Sequence, residues 1–151
     1  MTRILKLYTN GELKDTAEGK GRLTVGISGL SPATSYPAGI YQISFEENGR
    51  ESELVQSPAF TTKPILVTSI TFSQSTLSLH VGEQRVLTPT VSPNTATKKD
   101  VIYTSSRPDY VTVDRNTGTI HAVSVGTSVI TALATDGTGK LGRVTVTVTA
   151  A

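Results

Sequence analysis

The chain has 151 residues, a formal charge of +2, no cysteine, no tryptophan and a single methionine. Disulfides and thiolate metal sites are thereby excluded as staples, and any core must be built from Val, Ile and Leu. The densest basic cluster is Lys98-Lys99, too sparse for a nucleic-acid footprint, and no apolar run nears the roughly 20 residues of a membrane-spanning helix. The length admits one large domain or two small ones. Met1–Asn10 alternates and carries charge, so it lacks the uninterrupted apolar stretch of a secretory leader. With Met1 as its start, the product is expected to stay in the cytosol unless something carries it out.

Every element of the first segment, Met1–Lys63, reads as a strand. Arg3–Tyr8 puts Leu5 and Leu7 on one face, and Asn10-Gly11 then signals a hairpin because both residues tolerate positive φ. Leu23, Val25 and Ile27 alternate with Thr24, Gly26 and Ser28, which predicts a half-buried strand. Tyr41, Ile43 and Phe45 repeat the pattern, with Phe45 expected in the core, before Asn48-Gly49 turns the chain towards a last run ending at Ala59–Thr62. Glu46, Glu47, Glu51 and Glu53 are expected to form a solvated hairpin end.

Between these runs stands Leu30-Ser-Pro-Ala-Thr-Ser-Tyr36. Its pattern of Leu30, Pro32, Thr34 and Tyr36 resembles the corner of fibronectin type III domains, in which the tyrosine hydroxyl bonds back to upstream backbone. Such a sandwich takes about 100 residues and seven strands. Only about thirty residues precede the corner here, enough for three short strands. The resemblance therefore implies a truncated domain whose apolar face needs cover from elsewhere.

Thr61-Thr62-Lys63-Pro64 is the boundary, with the proline stiffening the joint. In Pro64–Ala151 a strand is expected at Val67–Phe72, another through Leu77, Leu79 and Val81 up to Gly82, and then Leu87–Pro93. Pro89 and Pro93 predict that this last strand is broken or lies at an edge. Asp100–Ser106 follows, then a hairpin of Val111–Asp114 and Thr119–Ala122 across Arg115–Gly118. Arg143–Thr149 places Val144, Val146 and Val148 on one face and threonines on the other.

The organising stretch is Gly118–Ala134, two β-rich runs separated at Ser124–Gly126. In the second run Val129, Thr131 and Leu133 alternate with Ile130, Ala132 and Ala134, which predicts an inner strand covered on both faces. With Leu77–Glu83 and Leu87–Pro93, this stretch resembles the group 2 bacterial immunoglobulin-like domains. Many members of that family have tryptophan where Tyr103 stands, which implies looser or better hydrated central packing. The two resemblances together imply an all-β protein of two tandem immunoglobulin-like β-sandwich domains, residues 1–63 small and incomplete and residues 64–151 complete. The structural signature is Leu30, Pro32, Thr34, Tyr36, Gly82, Tyr103, Gly118 and Gly126.

No pattern supplies a reaction. His80 and His121 fall in different strands without an acid–nucleophile pattern beside them. Gly26–Gly29 falls one residue short of a nucleophile elbow, and Asp136–Lys140 lacks the upstream glycine and the Ser or Thr of a phosphate loop. Asp114–Gly118 has a calcium-loop beginning, but Val125 stands where the distal bidentate acid belongs, so a tight turn is the better reading. No catalytic, cofactor-binding or metal-ligating residue is assigned, and no cofactor is expected. The resemblance implies a phage virion surface protein that decorates the capsid through its first domain. Its partners would be the major capsid protein or another shell protein, together with host cell-surface carbohydrate, and neither nucleic acid nor membrane. A tail-associated role, or a spacer in an exported bacterial surface protein, is the alternative.

Overall fold

The computed structural model describes residues 2–150, which form strands and turns with no helix. They fall into two compact units, Met1–Lys63 and Pro64–Ala151.

The first unit is built on β1 (Arg3–Thr9), β2 (Glu12–Gly19), β3 (Ser35–Tyr36), β4 (Tyr41–Glu47), β5 (Arg50–Glu51), β6 (Val55–Gln56) and β7 (Phe60–Thr61). Its sheet runs β2-β1-β4-β5, with β6 also paired to β4, and a separate β3–β7 ladder. Two local signals set the hairpins. Asn10 and Gly11 have φ of 51° and 79°, and Asn48 and Gly49 have 55° and 72°, the left-handed pairs that a two-residue hairpin requires. Polar β2 owes its place to the first of these turns rather than to any apolar pattern of its own.

Two expectations fail in this unit. Arg22–Ser28 forms no ladder. Both edges of β1 are taken, by β2 and β4, and β4 gives its other edge to β5 and β6. Alternation specifies which face a strand presents but not which neighbour it will find. Phe45 is no core residue either, being 43% exposed. Val25 and Ile27 line the Leu7 and Ile43 end of the sheet, whereas Phe45 stands beside Arg3, Glu47 and Arg50 at the other.

The second unit is formed by β8 (Ser69–Thr71), β9 (Thr76–His80), β10 (Gln84–Val86), β11 (Thr90–Ser92), β12 (Val101–Ser105), β13 (Val111–Val113), β14 (Thr119–Ala122), β15 (Gly126–Ala134) and β16 (Leu141–Thr149). One sheet has the order β12-β15-β16-β9, with β9 parallel to β16; a second is β10-β14-β13, and β11 pairs with β8. Of the proline-bearing run Leu87–Pro93 only β11 forms a ladder, with β8, while β10 precedes the run and joins β14. Between the layers lies one core to which Ile120, Val111, Ile130, Val146, Val148, Val67 and Ile70 contribute.

Two further expectations are corrected here. β15 is covered on one face only: Ser128, Ile130, Ala132 and Ala134 are buried, while Val129, Thr131 and Leu133 on the other face are half-buried. Neighbouring strands β12 and β16 bond both edges of β15, but hydrogen-bonded edges are not covered faces. Tyr103 leaves no loose or wet centre. It is 6% exposed, and its hydroxyl donates to the Leu87 carbonyl at 3.1 Å, so a phenol fills the space and satisfies its own polar atom.

Candidate functional site

The two faces of the first unit's sheet are chemically opposite. On one, Lys6, Tyr8, Ser44, Glu46 and Glu51 form a continuous network. Lys6 Nζ lies 2.6 Å from Glu46 and 2.8 Å from Glu51, the Tyr8 hydroxyl donates to Glu51 at 2.6 Å, and the buried Ser44 hydroxyl donates to the same carboxylate. The Glu51 carboxyl is pulled down to about 2, first by the Lys6 ammonium and then by the Ser44 and Tyr8 hydroxyls. Lys6 is raised well above its ordinary value, chiefly by Glu46, and Tyr8 is raised by Glu51. Of the four glutamates expected as a solvated hairpin end, Glu46 and Glu51 are instead tied to Lys6, because strand alternation places them on its face.

The opposite face is apolar and open. Leu5 and Leu7 are the first unit's only buried hydrophobic residues among those described. Beside them lies a cleft of about 360 Å³ with Leu7, Tyr41 and Ile43 as its floor, Val25 and Ile27 on one side and Val55–Pro58 on the other. Val55 is 60% exposed. Full burial of a valine or isoleucine side chain is worth about 1.5–3 kcal/mol, so this cleft holds unused binding energy. The Ser57 hydroxyl on its wall is the one buried side-chain oxygen among the described residues without a partner, a state that costs about 1–3 kcal/mol. No sequence signal marks Ser57, and Val25 and Ile27 were visible only as members of a strand.

The corner residues fix one end of this unit. The Ser31 amide donates to the Tyr36 hydroxyl at 2.9 Å, and the Tyr36 ring stacks on Phe60 with centroids 5.2 Å apart. The Thr34 hydroxyl donates to the Pro32 carbonyl at 3.0 Å, while its amide donates to Thr62 Oγ1. Pro32 is exposed and Leu30 half-buried.

In the second unit Tyr103, Gly118 and Gly126 serve close packing, and Gly82 a left-handed turn. At Gly118, with φ of 71°, a Cβ would stand 2.6 Å from the Tyr103 ring and 2.8 Å from the Leu87 carbonyl, which joins Gly118 and Tyr103 into one contact. At Gly126 a Cβ would meet the Tyr110 ring at 2.6 Å. Gly82, with φ of 89°, donates its amide to the Ala122 carbonyl. The signature thus splits into two separate groups, one in each unit. Unmarked by any motif, Ser128 is buried and bonded to Ser105, Ser106 and the Arg107 amide.

The motif-like turns are satisfied internally. Asp114 Oδ1 accepts the amides of Asn116 and Thr117, and the Thr117 bond above all lowers its carboxyl below the ordinary range. Asp136 accepts from the Thr138 hydroxyl and amide and from the Val67 amide, and its carboxyl is lowered chiefly by Thr138. His80 lies in β9, its Nδ1 2.8 Å from the Ala150 carbonyl, and His121 lies in β14. Among the described residues no three His, Asp or Glu side chains are placed to hold a metal ion.

The bacterial immunoglobulin-like domain (group 2) model matches residues 66–142. The chain belongs to the group 2 bacterial immunoglobulin-like family. One relative of this family member is an Ig-like virion protein of Serratia phage KSP90, 35% identical over 113 residues, which cover 75% of the chain and 39% of the relative. Another is the A type blood N-acetyl-alpha-D-galactosamine deacetylase of Flavonifractor plautii, 36% identical over 143 residues, 88% of the chain and 18% of the enzyme. The chain thus spans well under half the length of either relative. Its fold is also that of Drosophila N-cadherin, with a TM-score of 0.54 at 14% identity over 99% of the chain and 41% of the cadherin chain.

Proposed function

We propose that this immunoglobulin-like protein is a non-enzymatic structural part of a phage virion. Its first unit, a truncated fibronectin type III-like domain, anchors it to the major capsid protein or another shell protein. Its second unit stays free of the shell and makes low-affinity contacts with host-surface glycans. The carrying observation is the 35% identity to an Ig-like virion protein over 113 residues. The division of labour rests on the two units' surfaces. An anchor needs an unfilled apolar site, which the cleft of the first unit provides, and a projecting module needs a closed core. Many copies on one particle turn low-affinity contacts into avidity.

A non-enzymatic role is supported by what the relatives share. The matched piece is 18% of a deacetylase and 39% of a virion protein, and a module present in both is read as scaffold, with the named chemistry assigned to the remainder. The test is to add purified chain to particles lacking this product and image them by negative stain. Regular extra density over the head supports the reading; density on the tail alone moves the anchor, and no density on either overturns it.

A further inference from the structure

The cleft of the first unit has an unusual wall. Arg22–Ser28 runs without turn, bend or ladder, with Leu23 and Val25 half-buried and Thr24, Gly26 and Ile27 exposed. Among its backbone groups only the Gly26 amide has a protein partner within the described residues, Asp15 Oδ2 of β2 at 3.0 Å. In an extended backbone successive amides point to opposite edges. With the Gly26 amide turned to Asp15 of β2, the amides of Val25 and Ile27 point away from β2, and the side chains of both residues line the cleft. The wall is half of a ladder.

We propose that the cleft accepts an extended segment of the virion shell protein as an added β-strand. The segment pairs its backbone with Arg22–Ser28 and lays alternate apolar side chains on Leu7, Tyr41 and Ile43. This rests on the anchoring role proposed above. A helix bonds its interior backbone groups to itself and so offers this edge no run of ladder partners, and a sugar needs more polar side chains than the floor presents. A second copy of the chain would have to lend its own Arg22–Ser28 or a strand already paired on one edge, such as β9, and its edge strand β2 is charged at Glu12, Lys14, Asp15 and Glu18.

The experiment is hydrogen exchange on the full chain, free and bound to particles lacking this product, with two proline variants alongside. Exchange in peptides spanning residues 22–28 slows at least about tenfold on binding, as a new ladder requires. Val25→Pro keeps apolar bulk but removes a cleft-side donor, and it lowers particle occupancy about tenfold. Thr24→Pro removes a donor on the β2 side that has no partner, and it binds like the parent. Binding with unchanged exchange over 22–28, or equal binding by both variants, overturns strand addition and leaves the virion role standing. The same protection appearing on self-association without particles puts a second copy in the cleft and also overturns it. Failure of the parent chain to bind any particle overturns both readings.

Discussion

The two units differ in how much of their own apolar surface they cover. Of the 17 buried hydrophobic residues among those described, two, Leu5 and Leu7, belong to the first unit, and the remaining 15 belong to the second. Both units have clear strand alternation and well-formed turns, so local structure does not explain the gap. The difference is one of layers. In the second unit Val144, Val146 and Val148 meet Ile120, Val111 and Ile70 across the interior, whereas in the first unit Leu7 and Ile43 face a thin strap and a cleft. A sheet shields an apolar face only when another layer lies over it. What the first unit has instead is a polar face locked by Lys6, Glu46 and Glu51, which orders the strands without hiding hydrocarbon.

The contrast breaks most readily at Gly118. Gly118→Val forces side-chain atoms into the Tyr103 ring and the Leu87 carbonyl at a left-handed φ, at an expected cost of about 4 kcal/mol. Urea denaturation should show the second unit's transition collapsing towards that of the first. Next in size is the native difference itself. Hydrogen exchange on the free chain should be about a hundredfold slower in β15 and β16 than in β1 and β4, about 2.7 kcal/mol of extra protection. Equal protection in both units would remove the case for an incomplete anchor. Tyr103→Phe deletes one buried hydrogen bond and leaves the Leu87 carbonyl without that donor, for a loss of about 1 kcal/mol in the second unit's transition only.

The smallest effect sharpens the first unit's side. Because the Glu51 carboxyl is lowered from 4.5 to about 2, its contribution is fully present above pH 4.5 and is lost as pH falls through about 2. The group is partly exposed and screened, so the slope is shallow. Glu51→Gln should flatten the acid dependence of the first unit's unfolding between those pH values and leave the second unit's unchanged, as followed by circular dichroism.

Local chemistry was legible in the residues. Asn10-Gly11 and Asn48-Gly49 announced two hairpins, the valine alternation of β16 announced its buried face, and Pro89 and Pro93 announced the edge position of β11. Each rests on sterics or on a missing donor that a residue carries with it wherever it stands. The cleft was half legible. Leu23–Ile27 displayed its apolar side, but nothing in those residues stated that β2 and β4 would already hold both edges of β1.

The sequence by itself determined the hairpin turns, the buried face of strands such as β16 and the family, because alternation, left-handed turn residues and proline act over a few neighbours. Only the tertiary structure decided that Phe45 stands in solvent, that Tyr103 is dry, that one face of β15 is half-bare and that Arg22–Ser28 keeps an unpaired edge. Those outcomes depend on which distant segment arrives to cover a face or fill an edge, and pairing partners far apart in the chain leave no mark in either one's own residues.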